Sequence, residues 1–196
     1  MKTIVALFFL VSLNVSSVSK SHLPYGVLVT KAQHIVHGKI SKIDNGKEQY
    51  QFKVIDAVKG KTLDTIDVKI WKEWICDKRV SPLKVGQELL LFLKGNKNEP
   101  YSVIHGSKGE LFVSEKDYVT TFQYSLKDNK FPKIFHLKKG IKLFNRAFKY
   151  HGELYGFDDG GYFVRKANGS MIKKLNKENK FFRMAYNSIK YCEIKI

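Results

Sequence analysis

From Ala32 to Val113 apolar residues recur at every second position in short runs, and turn-forming residues separate the runs. A two-residue period marks strands that bury one face and wet the other. The run His34–Ile43 stops at Asp44-Asn45-Gly46, a hairpin-type turn. Tyr50, Phe52 and Val54 alternate with Gln51 and Lys53, and that run stops at Lys59-Gly60. Ile66, Val68 and Ile70 alternate with Asp67 and Lys69. Leu89–Leu93 is instead continuously apolar, as expected of a strand covered on both faces. Tyr101 and Val103 open a fifth strand, and Glu110–Val113 closes the set after Gly106 and Gly109. So many short strands with so little helical signal predict a small closed or partly closed barrel.

Beyond this region the period changes. Leu137, Ile141, Phe144 and Phe148 fall at helical spacing, with Leu143 and Ala147 widening the stripe. Gly140 weakens that helix and Gly152 is a plausible stop for it. Leu154–Phe157 and Tyr162–Val164, on either side of Asp158-Asp159-Gly160-Gly161, read as a β-hairpin. Leu175, Phe182, Ala185, Tyr186 and Ile189 mark a second amphipathic helix ending near Cys192. The expected class is therefore mainly β: a barrel over residues 20–115, then a basic α+β extension over 116–196 with two amphipathic helices and a hairpin. No repeat or Pro-rich hinge separates the two, so the extension is expected to pack on the barrel.

The N-terminus changes the setting. Lys2 precedes the twelve-residue run Ile4–Val15, which only Ser12 and Asn14 interrupt, and Ser17-Val18-Ser19 supplies small residues for a cut before Lys20. That pattern is a secretory signal peptide over residues 1–19, and the run is shorter than the roughly 20 residues a membrane span needs. The mature chain is expected outside the cytoplasm (periplasmic, cell-surface or extracellular) with no transmembrane span after cleavage. In an oxidising compartment Cys76 and Cys192 are candidates for a disulfide, by the loop-entropy estimate a contribution of about 4 kcal/mol; two separate thiols are the alternative.

The formal net charge is +17, yet only 4 of the 35 basic residues are Arg, the side chain favoured for reading phosphates and bases. Together with export, this argues against a nucleic-acid partner. The charge is uneven: residues 20–115 carry 16 basic and 11 acidic side chains, and residues 116–196 carry 18 and 7. Lys138, Lys139, Lys142, Arg146 and Lys149 line the polar side of the first predicted helix, and Lys173, Lys174, Lys177 and Lys180 start the last one. These clusters suit an anionic glycan or lipid surface, or else form an ordinary solvated face.

Catalytic chemistry finds little support. His34 and His37 sit on opposite faces of one strand, and His22, His105, His136 and His151 are scattered, so no metal site is expected. Cys76 lies in no nucleophile signature, Asp158-Asp159 before two glycines is turn chemistry, and no Gly-x-Ser-x-Gly or phosphate-cradling loop occurs. No cofactor is expected. Trp71 and Trp74 are more informative. If Trp74 shares the core face of Ile66, Val68 and Ile70, Trp71 points outward, as a stacking platform or interface anchor or as a surface covered by the helices.

Residues 32–113 resemble the netrin-like and tissue-inhibitor-of-metalloproteinases-like domains. The likeness lies in His37-Gly38-Lys39-Ile40, Tyr50–Val54 running to Val58-Lys59-Gly60, Trp71–Asp77, Val85–Phe92 and His105–Glu110. It implies an OB-fold barrel in an exported protein that binds other proteins. The zinc-chelating N-terminal cysteine of the metalloproteinase inhibitors has no counterpart, because no cysteine precedes Cys76. The expected function is a non-enzymatic binding or inhibitor-like module for a protein or cell-surface partner, working through Trp71 to Arg79 and the adjacent rim. A polyanion or membrane-surface binder acting through the basic helices is the alternative; an enzyme with an unrecognised site is the third reading.

Overall fold

The computed structural model describes residues 23–121, 132–152 and 161–196. The signal segment, the expected strand at 154–157 and the turn residues 158–160 lie outside the described residues. The fold is mainly β, with a strongly curled, barrel-like sheet and four α-helices among the described residues.

The curled sheet contains β1 (His34–Asp44), β2 (Gln49–Lys59), β3 (Thr65–Lys69), β4 (Glu88–Lys94), β5 (Ser102–Val103), β6 (Glu110–Val113) and β7 (Val119–Thr120). Its order is β3-β2-β1-β4-β6-β7, with β5 also on β4, and its named strands pair antiparallel. Just before β5, Tyr101 donates its N–H to the Asp67 carbonyl (2.8 Å) and accepts from Lys69 N–H (2.8 Å), in a parallel bridge that joins this segment to β3. The β1–β2 hairpin is irregular at His37/Gly38, where the Lys53 carbonyl crosses so close that a Cβ at position 38 would collide with it. Only glycine fits there, which explains its place in the interior of a strand.

Strand β4 is buried along Leu89–Leu93, as its unbroken apolar run predicts. Leu89, Leu91 and Leu93 join Val36, Ile40, Tyr50, Phe52, Ile66, Val68 and Tyr101 inside the curl. Leu90 and Phe92 face the other way, into a second core shared with the helices. That core holds Val27, Leu28 and Val29 of α1 (Tyr25–Lys31), Leu137, Ile141 and Phe144 of α2 (Ile134–Ala147), and Phe181, Phe182 and Ala185 of α4 (Lys180–Ser188). The C-terminal segment thus packs on the back of the sheet, and Lys138 of α2 reaches Asp56 of β2 at 2.9 Å.

Helix α1 carries the β-branched residues Val27, Val29 and Thr30, which by themselves favour extended backbone. Tertiary partners make it a helix. Ser188 Oγ accepts from Gly26 N–H at 3.2 Å, and Lys59 Nζ donates to the Val29 and Thr30 carbonyls at 3.0 and 2.7 Å, satisfying the C-terminal end. Burial lowers the Lys59 pKa to about 8.

The extension differs from expectation in two places. Helix α2 stops at Ala147, and Phe148 begins β8 (Phe148–His151), which pairs antiparallel with β9 (Tyr162–Arg165). The hairpin therefore starts earlier than residue 154. The last helix is two: α3 (Gly169–Glu178) and α4, broken at Asn179, after which β10 (Glu193–Lys195) joins β9 in parallel. Asn179 Oδ1 accepts from Phe182 N–H (2.8 Å), and its Nδ2 donates to the His136 carbonyl (3.0 Å). Gly140 lies where Asn179 Oδ1 and Phe181 press on α2, so it is a close-approach residue and not a weak point. No helix among the described residues is long and apolar enough to cross a membrane.

Cys76 and Cys192 are free thiols, contrary to the expected bridge. Cys76 sits exposed on the tip between β3 and β4, whereas Cys192 packs against the helical core. The expectation rested on two cysteines in an exported chain, with separate thiols as its alternative; the fold places them in different environments.

Replacing Asn179 with Ala removes a helix cap and a bond to α2, and is expected to cost about 1–2 kcal/mol in equilibrium urea unfolding. An unchanged midpoint would show that this junction is held by packing alone.

Candidate partner-binding rim

Strand β3 ends at Lys69, and the chain runs irregularly from Ile70 to Gln87 before β4. Such a connection needs side chains to fix it, because few ladder bonds do so. Arg79 is the main one. Its side chain is 8% exposed, its guanidinium lies 4.1 Å from the Trp71 ring centroid, and Nη2 donates to the Trp71 carbonyl at 3.1 Å. Nε sits 2.8 Å from Glu110 Oε1 and Nη1 3.4 Å from Glu73 Oε1, which also accepts from Arg79 N–H at 2.8 Å. The planar, forked cation meets a ring and two carboxylates at once, an arrangement Lys cannot reproduce.

Glu110, the first residue of β6, is 4% exposed at its side chain. Burial raises its pKa, opposed by the Arg79 charge and by the Trp71 and Tyr50 side chains turned toward it. Tyr50 donates to Glu110 Oε2 at 3.4 Å from inside the curl, and burial together with the Glu110 charge pushes its phenol well above the ordinary range. Tyr50 therefore remains a neutral donor.

A second anchor lies beside the first. Trp74 and Asp77 exchange backbone hydrogen bonds of 3.0 and 2.9 Å, closing a tight turn with Ile75 and Cys76 at its tip. The buried Asp77 carboxylate accepts from Ser107 N–H at 3.2 Å and presses on Gly106, where it would collide with a Cβ and where the φ of 53° also favours glycine. Trp71–Asp77 and His105–Glu110, far apart in sequence, meet here. Above the anchors Ile75 is 84% exposed and Trp74 39%. A groove of about 400 Å³ runs alongside, lined by Glu73 and Arg79 together with Ile43, Ile70, Pro82 and Leu83.

Neither tryptophan lies where the extended alternation put it. Trp71 is half-buried under Arg79 and no free platform, while Trp74 leaves the core face and stands at the tip. The strand's alternation stops at Lys69, so it does not carry over to residues 71 and 74. Glu110 and Tyr50 were not anticipated as part of this site, and Asp77, inside the expected segment, was given no role. Arg79 was a usable signal, being the only Arg before Arg146 in a chain that otherwise uses Lys.

Of the basic candidates, Lys138, Lys142 and Arg146 share α2, with Lys138 paired to Asp56. Lys149 belongs to β8 and not to the helix. His37 Nε2 lies 2.7 Å from Glu88 Oε1, and His34 stacks edge-on against Tyr101 at 5.2 Å. Among the described residues no group of three or more His, Cys, Asp or Glu side chains is placed to hold a metal ion.

No family model, curated protein or solved structure matches this chain.

Removing one member of the Arg79–Glu110 pair strands the other charge in the interior. Arg79→Met is expected to cost about 3–5 kcal/mol, and Arg79→Met/Glu110→Leu to recover much of it. Additive losses in urea denaturation would mean that the two side chains do not act as a pair.

Proposed function

We propose that the chain is an exported, non-enzymatic binding module with an OB-like barrel, docking on a protein partner through the Trp71–Arg79 connection. The observation that carries this reading is an apolar tip, Trp74-Ile75, standing in solvent on a base held by two buried charge-anchored contacts. A mobile loop would lose conformational freedom on binding; a pre-fixed tip avoids that cost and delivers aromatic and aliphatic area to a partner's pocket. The groove beside the tip adds a polar margin through Glu73, and Lys72 and Lys78 flank the apolar pair. This is the anatomy of an interface centre with a polar rim.

The OB-like assignment is supported by the strand neighbours β3-β2-β1-β4, by β5 on β4, and by the parallel link from Tyr101 back to β3. The netrin-like resemblance fits the same reading, since two of the segments that carry it form the rim. Export rests on the pattern of residues 1–19.

Site-specific photo-crosslinking from position 78, on intact cells, tests the docking surface. The native tip is expected to give one dominant protein adduct, and Ile75→Asp to abolish it while the melting temperature holds. An adduct unchanged by Ile75→Asp would contradict docking through this tip.

A further inference from the structure

A second surface lies on the outer side of α2. From Lys133 to His151 the chain carries six Lys or Arg side chains and no Asp or Glu. The inner stripe of the helix, Ile134, Leu137, Ile141 and Phe144, is buried against the core. Its outer side forms a groove of about 370 Å³ with β2, lined by Lys138, Lys139, Lys142 and Arg146 together with Phe135 and Leu143. Asp56 is the one carboxylate in this lining. It is already engaged by Lys138 at 2.9 Å; burial raises its pKa, but Lys138, Lys142 and His37 outweigh this and hold it below the usual range. Among the described residues no carboxylate lies within ion-pair distance of Lys139, Lys142 or Arg146, and all three are exposed.

Charge alone would suit any polyanion. Phe135 narrows the choice. It is 67% exposed, one turn before Lys139, and shares its side of the helix with Lys142 and Arg146. A soluble polyanion gains nothing from an exposed phenyl ring among lysines, whereas an anionic bilayer accepts both. Headgroups take the cations, and the ring enters the boundary between headgroup and acyl chain. Lys stems can bend toward the headgroups and leave Phe135 at the deepest point. A helix already pinned flat on a sheet presents these groups in one line without having to fold on the membrane.

We propose that the outer face of α2 docks on a bilayer of anionic phospholipid, with Lys139, Lys142 and Arg146 at the headgroups and Phe135 inserted. This surface shares no residue with the Trp71–Arg79 rim and goes beyond the partner-binding reading.

Vesicle co-sedimentation tests it, comparing phosphatidylcholine alone with equal parts phosphatidylcholine and phosphatidylglycerol. The native protein should pellet only with the anionic vesicles. Lys139→Glu/Arg146→Glu should weaken partitioning at least about tenfold, whereas Lys173→Glu/Lys174→Glu on α3, with the same change in net charge, should stay within about twofold. Phe135→Ser should weaken it several-fold while leaving the salt dependence unchanged. All substituted positions are exposed, and matching melting temperatures confirm the fold. Equal losses from the two reversal pairs would overturn the proposal in favour of diffuse charge attraction. Undiminished binding of Phe135→Ser, with full displacement by soluble heparin, would overturn it in favour of a soluble polyanion. Loss on Ile75→Ser instead of Phe135→Ser would place the membrane contact on the rim.

Discussion

A carboxylate as deeply buried as Glu110 must be neutralised or matched, because stranding a charge in the interior costs several kcal/mol. Arg79 matches it, and the match organises one whole end of the curled sheet. Glu110 opens β6, Tyr50 reaches it from β2, and Arg79 reaches it from the irregular connection after β3. The same guanidinium stacks on Trp71 and touches Glu73. Electrostatics therefore sets the course of a segment that ladder bonds leave loose. Because the loop's base is tied inward, its apolar tip is turned outward. The exposed Trp74 and Ile75 are a consequence of the buried pair beneath them.

Strand β4 imposes the second constraint. With residues from Leu89 to Leu93 buried on both faces, one face fills the curl and the other demands a cover. Helices α1, α2 and α4 supply it, and the aromatic cluster of Phe144, Phe148, Phe163 and Phe182 fills the space between them, with ring centroids 5.0 to 6.4 Å apart. Once the apolar stripe of α2 is committed to that core, its cations and Phe135 can only face away. The rim and the basic face thus arise from different causes, a buried ion pair in one case and a two-sided strand in the other.

The strands were legible because period-two alternation and Gly or Asn-Gly punctuation are local signals, and β1, β2, β3 and β4 fall where those signals put them. What failed depended on distant residues. Phe148 leaves the helical stripe because β9 offers it a ladder, and Asn179 splits the last helix while gripping α2. The segment Trp71–Arg79 was legible as the region of interest, but not its geometry: the reading extended a strand's alternation past Lys69, where the strand ends. The cysteines show the same limit, since their number says nothing of the distance between them.

Hydrogen–deuterium exchange of the native protein and of Glu110→Gln tests the central claim most directly. If the buried pair fixes the rim, backbone amides of Trp74, Asp77, Arg79 and Ser107 should exchange markedly faster in the variant, while the β1–β2 ladder keeps its protection. Unchanged protection of the connection, or an equal loss across the entire barrel, would contradict the account.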